Sequence, residues 1–147
     1  MNIADRIVPG LWQGSAPLVG TRLPFDLVVL CAMEYQLRLI PRPFGSRALV
    51  LRVPMDDSDP VRAEDKANAR QAAQALASWH ARGARVLVTC AQGRNRSGAV
   101  VALTLVSLGV SPERAVQLVK RGRGPTALTN PAFVDLVLRG RTDSWAA

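Results

Sequence analysis

Aromatic residues are scarce in this chain of 147 residues: three Trp, three Phe and one Tyr, with no interleaving of aromatic and basic positions. That argues against the stacking platform by which proteins hold single-stranded nucleic acid. Cysteine is scarcer still, two residues without regular spacing, so no disulfide scaffold is expected. There is one histidine, His80, and no metal-ligand spacing, so the chain is expected to work without a metal or other cofactor. Long apolar runs are missing as well. The longest, residues 99–110, is broken by Thr104 and Ser107 and falls short of the roughly 20 residues that span a bilayer. The opening MNIADRIVPG has no basic-then-apolar leader pattern, from which a cytoplasmic location is expected. Repeats, low-complexity tracts and linkers are absent too. With 48% hydrophobic residues, the length suits one domain, 1–147, with a substantial core.

What the chain does have is positive charge, a formal +8 carried almost wholly by arginine, since only Lys66 and Lys120 are lysines. Such a balance attracts anions, whether phosphoproteins, nucleic acid or acidic lipid headgroups.

One stretch organises the rest: Cys90-Ala91-Gln92-Gly93-Arg94-Asn95-Arg96-Ser97-Gly98. It follows residues 84–89 (ARVLVT), a nearly continuous apolar run that suits a central buried strand. It precedes residues 97–108 (SGAVVALTLVSL), a helix closed by Gly109. A strand, a tight loop at Gly93 and a helix N-terminus gather backbone N–H groups and the positive end of the helix dipole around one point, which is an anion site. The loop begins with a thiol and carries a guanidinium six residues later. The dipole and Arg96 favour the thiolate of Cys90, and the planar fork of Arg96 can hold two phosphoryl oxygens while sulfur attacks phosphorus. Ser97 can donate a hydrogen bond to that sulfur. Ala91, Gln92, Gly93, Arg94, Asn95 and Arg96 are thus the candidate phosphate-binding residues, and Cys90, Arg96 and Ser97 candidate catalytic ones.

The pattern C-x5-R-S resembles the signature loop of the cysteine-dependent protein tyrosine phosphatase superfamily. Residues 7–15 strengthen the likeness. Ile7, Pro9, Leu11, Trp12, Gly14 and Ser15 match the opening I-x-P-x-L-(aromatic)-x-G-S of small dual-specificity phosphatase domains, and Asn130-x-x-Phe133 is similar to the N-x-x-F element that follows the signature there. The resemblance spans nearly the whole chain and implies an α/β fold: a central mixed, mostly parallel sheet of about four to five strands flanked by helices on both faces.

Local patterns supply candidate elements for it. Residues 7–14, punctuated by Pro9 and Gly10, read as a short edge strand or turn. Residues 25–31 and 48–55 read as strands, 33–40 as a short helix ended by Pro41 and Pro43, and 63–82 as a long alanine-rich helix. Ser111-Pro112 and Asn130-Pro131 open two further helices. Cys31 reads as a core residue, with a resolving thiol for Cys90 as the alternative. The basic cluster Lys120-Arg121-Gly122-Arg123 reads as a solvated helix end, with binding of an acidic substrate as the alternative.

Hydrolysis of a phosphate ester also needs a proton for the leaving oxygen, and the acidic run Asp56-Asp57-Ser58-Asp59-Pro60 can supply one. The resemblance implies that Asp57 is this acid, because Val53-Pro54-Met55-Asp56-Asp57 looks like the family's I-P-I-x-D segment; Asp56 is the alternative. Asp59 before Pro60 reads as a helix cap. The implied activity is hydrolysis of phosphate monoesters through a cysteinyl-phosphate, on phosphotyrosine, phosphoserine or phosphothreonine of proteins. An RNA 5′-phosphatase or a phosphoinositide phosphatase is the alternative, suggested by Arg94 and by Gly93-x-Asn95-Arg96. A phosphoresidue-binding module without turnover is another, since Thr89 stands where the family usually has histidine.

Overall fold

A computed structural model describes residues 4–16, 24–36 and 48–140. Its five strands are β1 (Ala4–Val8), β2 (Leu11–Ser15), β3 (Leu27–Ala32), β4 (Leu49–Met55) and β5 (Val86–Cys90), in the sheet order β1-β2-β5-β3-β4. β1 and β2 are antiparallel and the other three pairings are parallel, giving the expected mixed, mostly parallel sheet. Residues 7–14 belong to a hairpin of two strands, because Gly10 takes φ +82° and turns the chain there. β5 lies at the centre, and all five of its residues are buried. That fits a run of Val and Leu covered on both faces.

The helices are α1 (Ala63–Ala81), α2 (Arg96–Ser107), α3 (Pro112–Arg123) and α4 (Pro131–Leu138). All four enter one large core with Leu11, Val29, Met55 and Val88 of the sheet. Among the described residues the opposite face is covered instead by Phe25, which packs with Val28, Leu30 and Leu87 and meets Trp12 edge to face at 5.7 Å. α2 sits deepest: its first ten residues are all buried, as suits a helix whose apolar residues lie on all sides. The caps of α3 and α4 are as expected, with Ser111 and Asn130 accepting from the N–H groups of Arg114 and Ala132 and Pro in the first turn of each.

Three sequence expectations need correction. The helix proposed over 33–40 is a 3-10 turn over Met33–Tyr35, and residues 37–40 lie outside the described residues. Asp59 does not cap α1. Asp59 lies in a bend, the residue before the helix is Arg62 (φ −64°, ψ 147°), and regular helix begins only at Ala63; Asp65 in the first turn accepts from the Asp56 N–H at 3.1 Å. The end of α3 is not solvated throughout. Arg123 is buried, because it reaches inward to carbonyl groups and to Asp5 beneath the loop that follows β5.

Candidate active site

Cys90 ends β5, Arg96 begins α2, and the five residues between them form the loop. Three of its carbonyls are turned into the protein. The Gln92 oxygen accepts from Arg123 Nη2 at 3.2 Å, the Gly93 oxygen from Arg123 Nε and Gln13 Nε2 at 3.0 Å each, and the Arg94 oxygen from the Leu128 N–H at 3.1 Å. A trans peptide holds its C=O and N–H on opposite sides, so the N–H groups of Gly93, Arg94 and Asn95 point the other way, outward. The first N–H groups of α2 have no partner within the helix and face the same region. The loop is therefore a cradle of backbone donors at a helix N-terminus, an arrangement that suits an oxyanion.

Glycine is required within it. Gly93 has φ +65°, and a Cβ there would stand 2.5 Å from the Gly14 carbonyl carbon and 2.6 Å from Arg123 Nη2. Only a residue without a side chain lets the loop rest on β2.

Above the cradle lies a cleft of about 400 Å³ whose lining includes Cys90, Ala91, Gln92, Arg94, Asn95, Arg96, Asp56 and Asp57. The Cys90 side chain, 3% exposed, sits at its floor with Sγ 3.2 Å from Ser97 Oγ. With the sulfur as thiolate, only the hydroxyl in that pair has a proton to give. Arg96 is 5% exposed. Its Nη1 donates to Glu34 Oε1 and, at 3.1 Å, to the Met55 carbonyl, and its Nη2 donates to Glu34 Oε2 at 3.0 Å. Burial opposes the charge on Arg96 most strongly, but the Glu34 hydrogen bond, with Cys90 and Asp57 nearby, outweighs it and raises the pKa. Arg96 Nε is buried and has no partner among the described residues. One edge of the fork is thus fixed by Glu34, and the edge bearing Nε and the second Nη2 hydrogen is left for an anion.

The two candidate acids are held differently. Asp57 carries both carboxylate oxygens on amides: Asn95 Nδ2 donates to Oδ2 at 3.2 Å and Asn130 Nδ2 to Oδ1 at 2.8 Å. Asp56 is tied by its backbone N–H to Asp65, and both aspartates are exposed. Thr89 Oγ1 donates to the Val29 carbonyl of β3 at 3.0 Å, so it joins two strands and does not bond to the loop. Cys31 is buried in the core cluster that also contains Cys90. Burial first, and then the nearby Cys90, push the Cys31 thiol well above its ordinary pKa, with Arg96 opposing.

Of the candidate site residues, Cys90, Ala91, Gln92, Arg94, Asn95, Arg96, Asp56 and Asp57 line one cleft, while Gly93 supports it from below and Ser97 is buried behind the Cys90 sulfur. Three further residues build the site without having been picked from the sequence: Glu34, Gln13 and Arg123.

Known proteins resemble this chain in sequence and in fold. A sequence profile of the tyrosine phosphatase family matches residues 54–117. Human dual specificity phosphatase 28 is 37% identical over 132 residues, covering 87% of this chain and 72% of that protein. The chain belongs to the dual specificity phosphatase family. Its fold is that of the family: the crystal structure of the human phosphatase superposes with a TM-score of 0.80 at 28% identity, over 97% of this chain and 95% of that one. A mouse putative dual specificity phosphatase, crystallised with zinc tungstate, gives 0.80 at 27% identity over 95% and 87% of the two chains. As a member of a cysteine-dependent phosphatase family the protein is an enzyme that acts on phosphorylated substrates. No helix among the described residues is long and apolar enough to cross a membrane.

Proposed function

We propose that the chain hydrolyses phosphate monoesters on phosphotyrosine, phosphoserine and phosphothreonine of proteins, with Cys90 as nucleophile. The observation that carries this reading is the convergence of the Cys90 sulfur, the Ser97 hydroxyl 3.2 Å away and the half-free Arg96 fork over one cradle of N–H groups. The phosphoryl oxygens rest on the loop N–H groups and on Arg96 Nε and Nη2, which stabilise the charge that builds on them as sulfur attacks in line. Asp57 gives its proton to the leaving oxygen. A cysteinyl-phosphate forms, and Asp57, now ionised, takes a proton from the water that attacks it. Sulfur leaves as thiolate, accepting from Ser97. Asp57 is preferred to Asp56 because its carboxylate is held from both sides at the cleft.

The test is chemical capture: rapid acid quench during turnover of an aryl phosphate leaves phosphate on the peptide containing Cys90. A burst-phase quench with no protein-bound phosphate would remove the covalent step.

A second reading, a phosphoinositide or a 5′-triphosphorylated RNA as substrate, is supported by Arg94, which lines the cleft and is exposed. Turnover of such polyanions at rates above those for phosphopeptides would favour it.

A further inference from the structure

Two asparagines from separate parts of the chain converge on one carboxylate. Asn95 precedes α2 in the loop, and Asn130 caps α4. The orientation of each side-chain amide is set by backbone donors that have no choice. Asn95 Oδ1 accepts from the N–H groups of both Thr129 and Asn130 at 2.9 Å, which turns its Nδ2 toward Asp57. Asn130 Oδ1 accepts from the Ala132 N–H at 3.0 Å, which turns its Nδ2 toward Asp57 Oδ1 at 2.8 Å and the Ser58 carbonyl at 2.9 Å. One N–H of Asn130 thus serves each of two neighbouring residues of the acidic loop, and Asn95 ties the same carboxylate to the residue before Arg96.

We propose that Asn130, with Asn95, is a positioning residue that holds Asp57 over the phosphate cradle; the proposal rests on the reading of Asp57 as the general acid. Neither asparagine exchanges a proton with substrate. Each carboxylate oxygen accepts one amide hydrogen and keeps a further lone-pair site, so the carboxyl can carry and release its proton while its plane stays fixed. Proton transfer needs the acid within hydrogen-bond reach of the leaving oxygen, and a loop carboxylate free to rotate would meet that condition only part of the time. The clamp also couples the acidic loop to the anion loop through side chains.

The experiment compares wild type, Asn130→Ser, Asp57→Ala and the double variant on phenyl phosphate and 4-nitrophenyl phosphate. Serine keeps the cap, since it too offers an oxygen to the first turn, but is too short to reach Asp57. The expected result for Asn130→Ser is a fall in kcat of about tenfold on phenyl phosphate, a much smaller fall on 4-nitrophenyl phosphate, an unchanged KM, and no further loss in the Asp57→Ala background. Asn130→Thr, which likewise offers a cap oxygen and cannot reach Asp57, is expected to give the same leaving-group pattern. It carries the test if Asn130→Ser does not fold. An Asn130→Ser enzyme equal to wild type on both substrates, beside an Asp57→Ala enzyme that is strongly leaving-group dependent, overturns the clamp alone. So does an Asn130→Ser loss that persists undiminished in the double variant. An Asp57→Ala enzyme with the same fractional loss on both substrates overturns the acid assignment, and the clamp with it.

Discussion

Arg123 lies beneath Gly93, its Nε donating to the Gly93 carbonyl at 3.0 Å while its Nη1 meets Asp5 at 2.8 Å. One buried guanidinium therefore fixes the loop and joins it to the edge strand. Replacing it by methionine keeps the apolar stem but leaves Asp5 and two loop carbonyls without these donors. Breaking a buried pair from one side costs about 3–5 kcal/mol, so Arg123→Met is expected to lower stability by about 3 kcal/mol and to abolish turnover. Urea unfolding and phosphate release measure the two effects. Wild-type stability would mean that the loop does not depend on this strut.

Gly93→Ala is expected to be inactive for a different reason. The left-handed φ costs a non-glycine residue about 1–2 kcal/mol, and the added Cβ collides with the Gly14 backbone, which cannot rotate away. The loop must move off β2 and the N–H cradle opens. Orthovanadate, a phosphate-like oxyanion, serves as the probe: its binding by calorimetry should be lost in the variant, and retained binding would contradict the cradle's geometry.

The pairing of Glu34 with Arg96 predicts an acid-side dependence. The Arg96 hydrogen bond holds the Glu34 carboxyl below its ordinary pKa, with burial opposing. A depressed folded-state pKa adds stability that is full above the unfolded value and fades as pH falls through the folded one. Wild type is therefore expected to be more stable than Glu34→Gln at pH 7, with the difference shrinking below the ordinary value of 4.5. Denaturant titrations at several pH values check it, and a difference constant from pH 7 to pH 3 would show that the ion pair contributes nothing.

Much of the site was legible in the sequence because its chemistry is local. Cys90, Gly93, Arg96 and Ser97 fall within eight residues, and a strand before them and a helix after them fix their geometry from spacing alone. The same holds for the caps at Ser111 and Asn130, where the residue before proline announces the helix. What escaped was the support brought from a distance. Glu34 stands 62 residues from Arg96 and Arg123 stands 30 from Gly93, and no periodicity links such pairs. Arg123 was misread for a specific reason: it ends a helix among other basic residues, where charge is ordinarily solvated, whereas Gly122 lets the end of α3 pack closely on Ile7 of β1 and so carries the guanidinium inside. Asn130 was legible as a cap, but its second bond to Asp57 depends on α4 returning to the acidic loop, which only the fold reveals.

The proposed chemistry turns on the sulfur of Cys90, and the decisive measurement is phosphate release from 4-nitrophenyl phosphate by wild type and Cys90→Ser side by side, with the thiol kept reduced. Serine preserves the side chain's size and its contact with Ser97. The expected result is turnover by wild type and none above background in the variant, with both proteins equally folded. A variant that releases phosphate at the wild-type rate would contradict the nucleophilic role of Cys90, and a folded, reduced wild type that releases none would contradict turnover at this cleft.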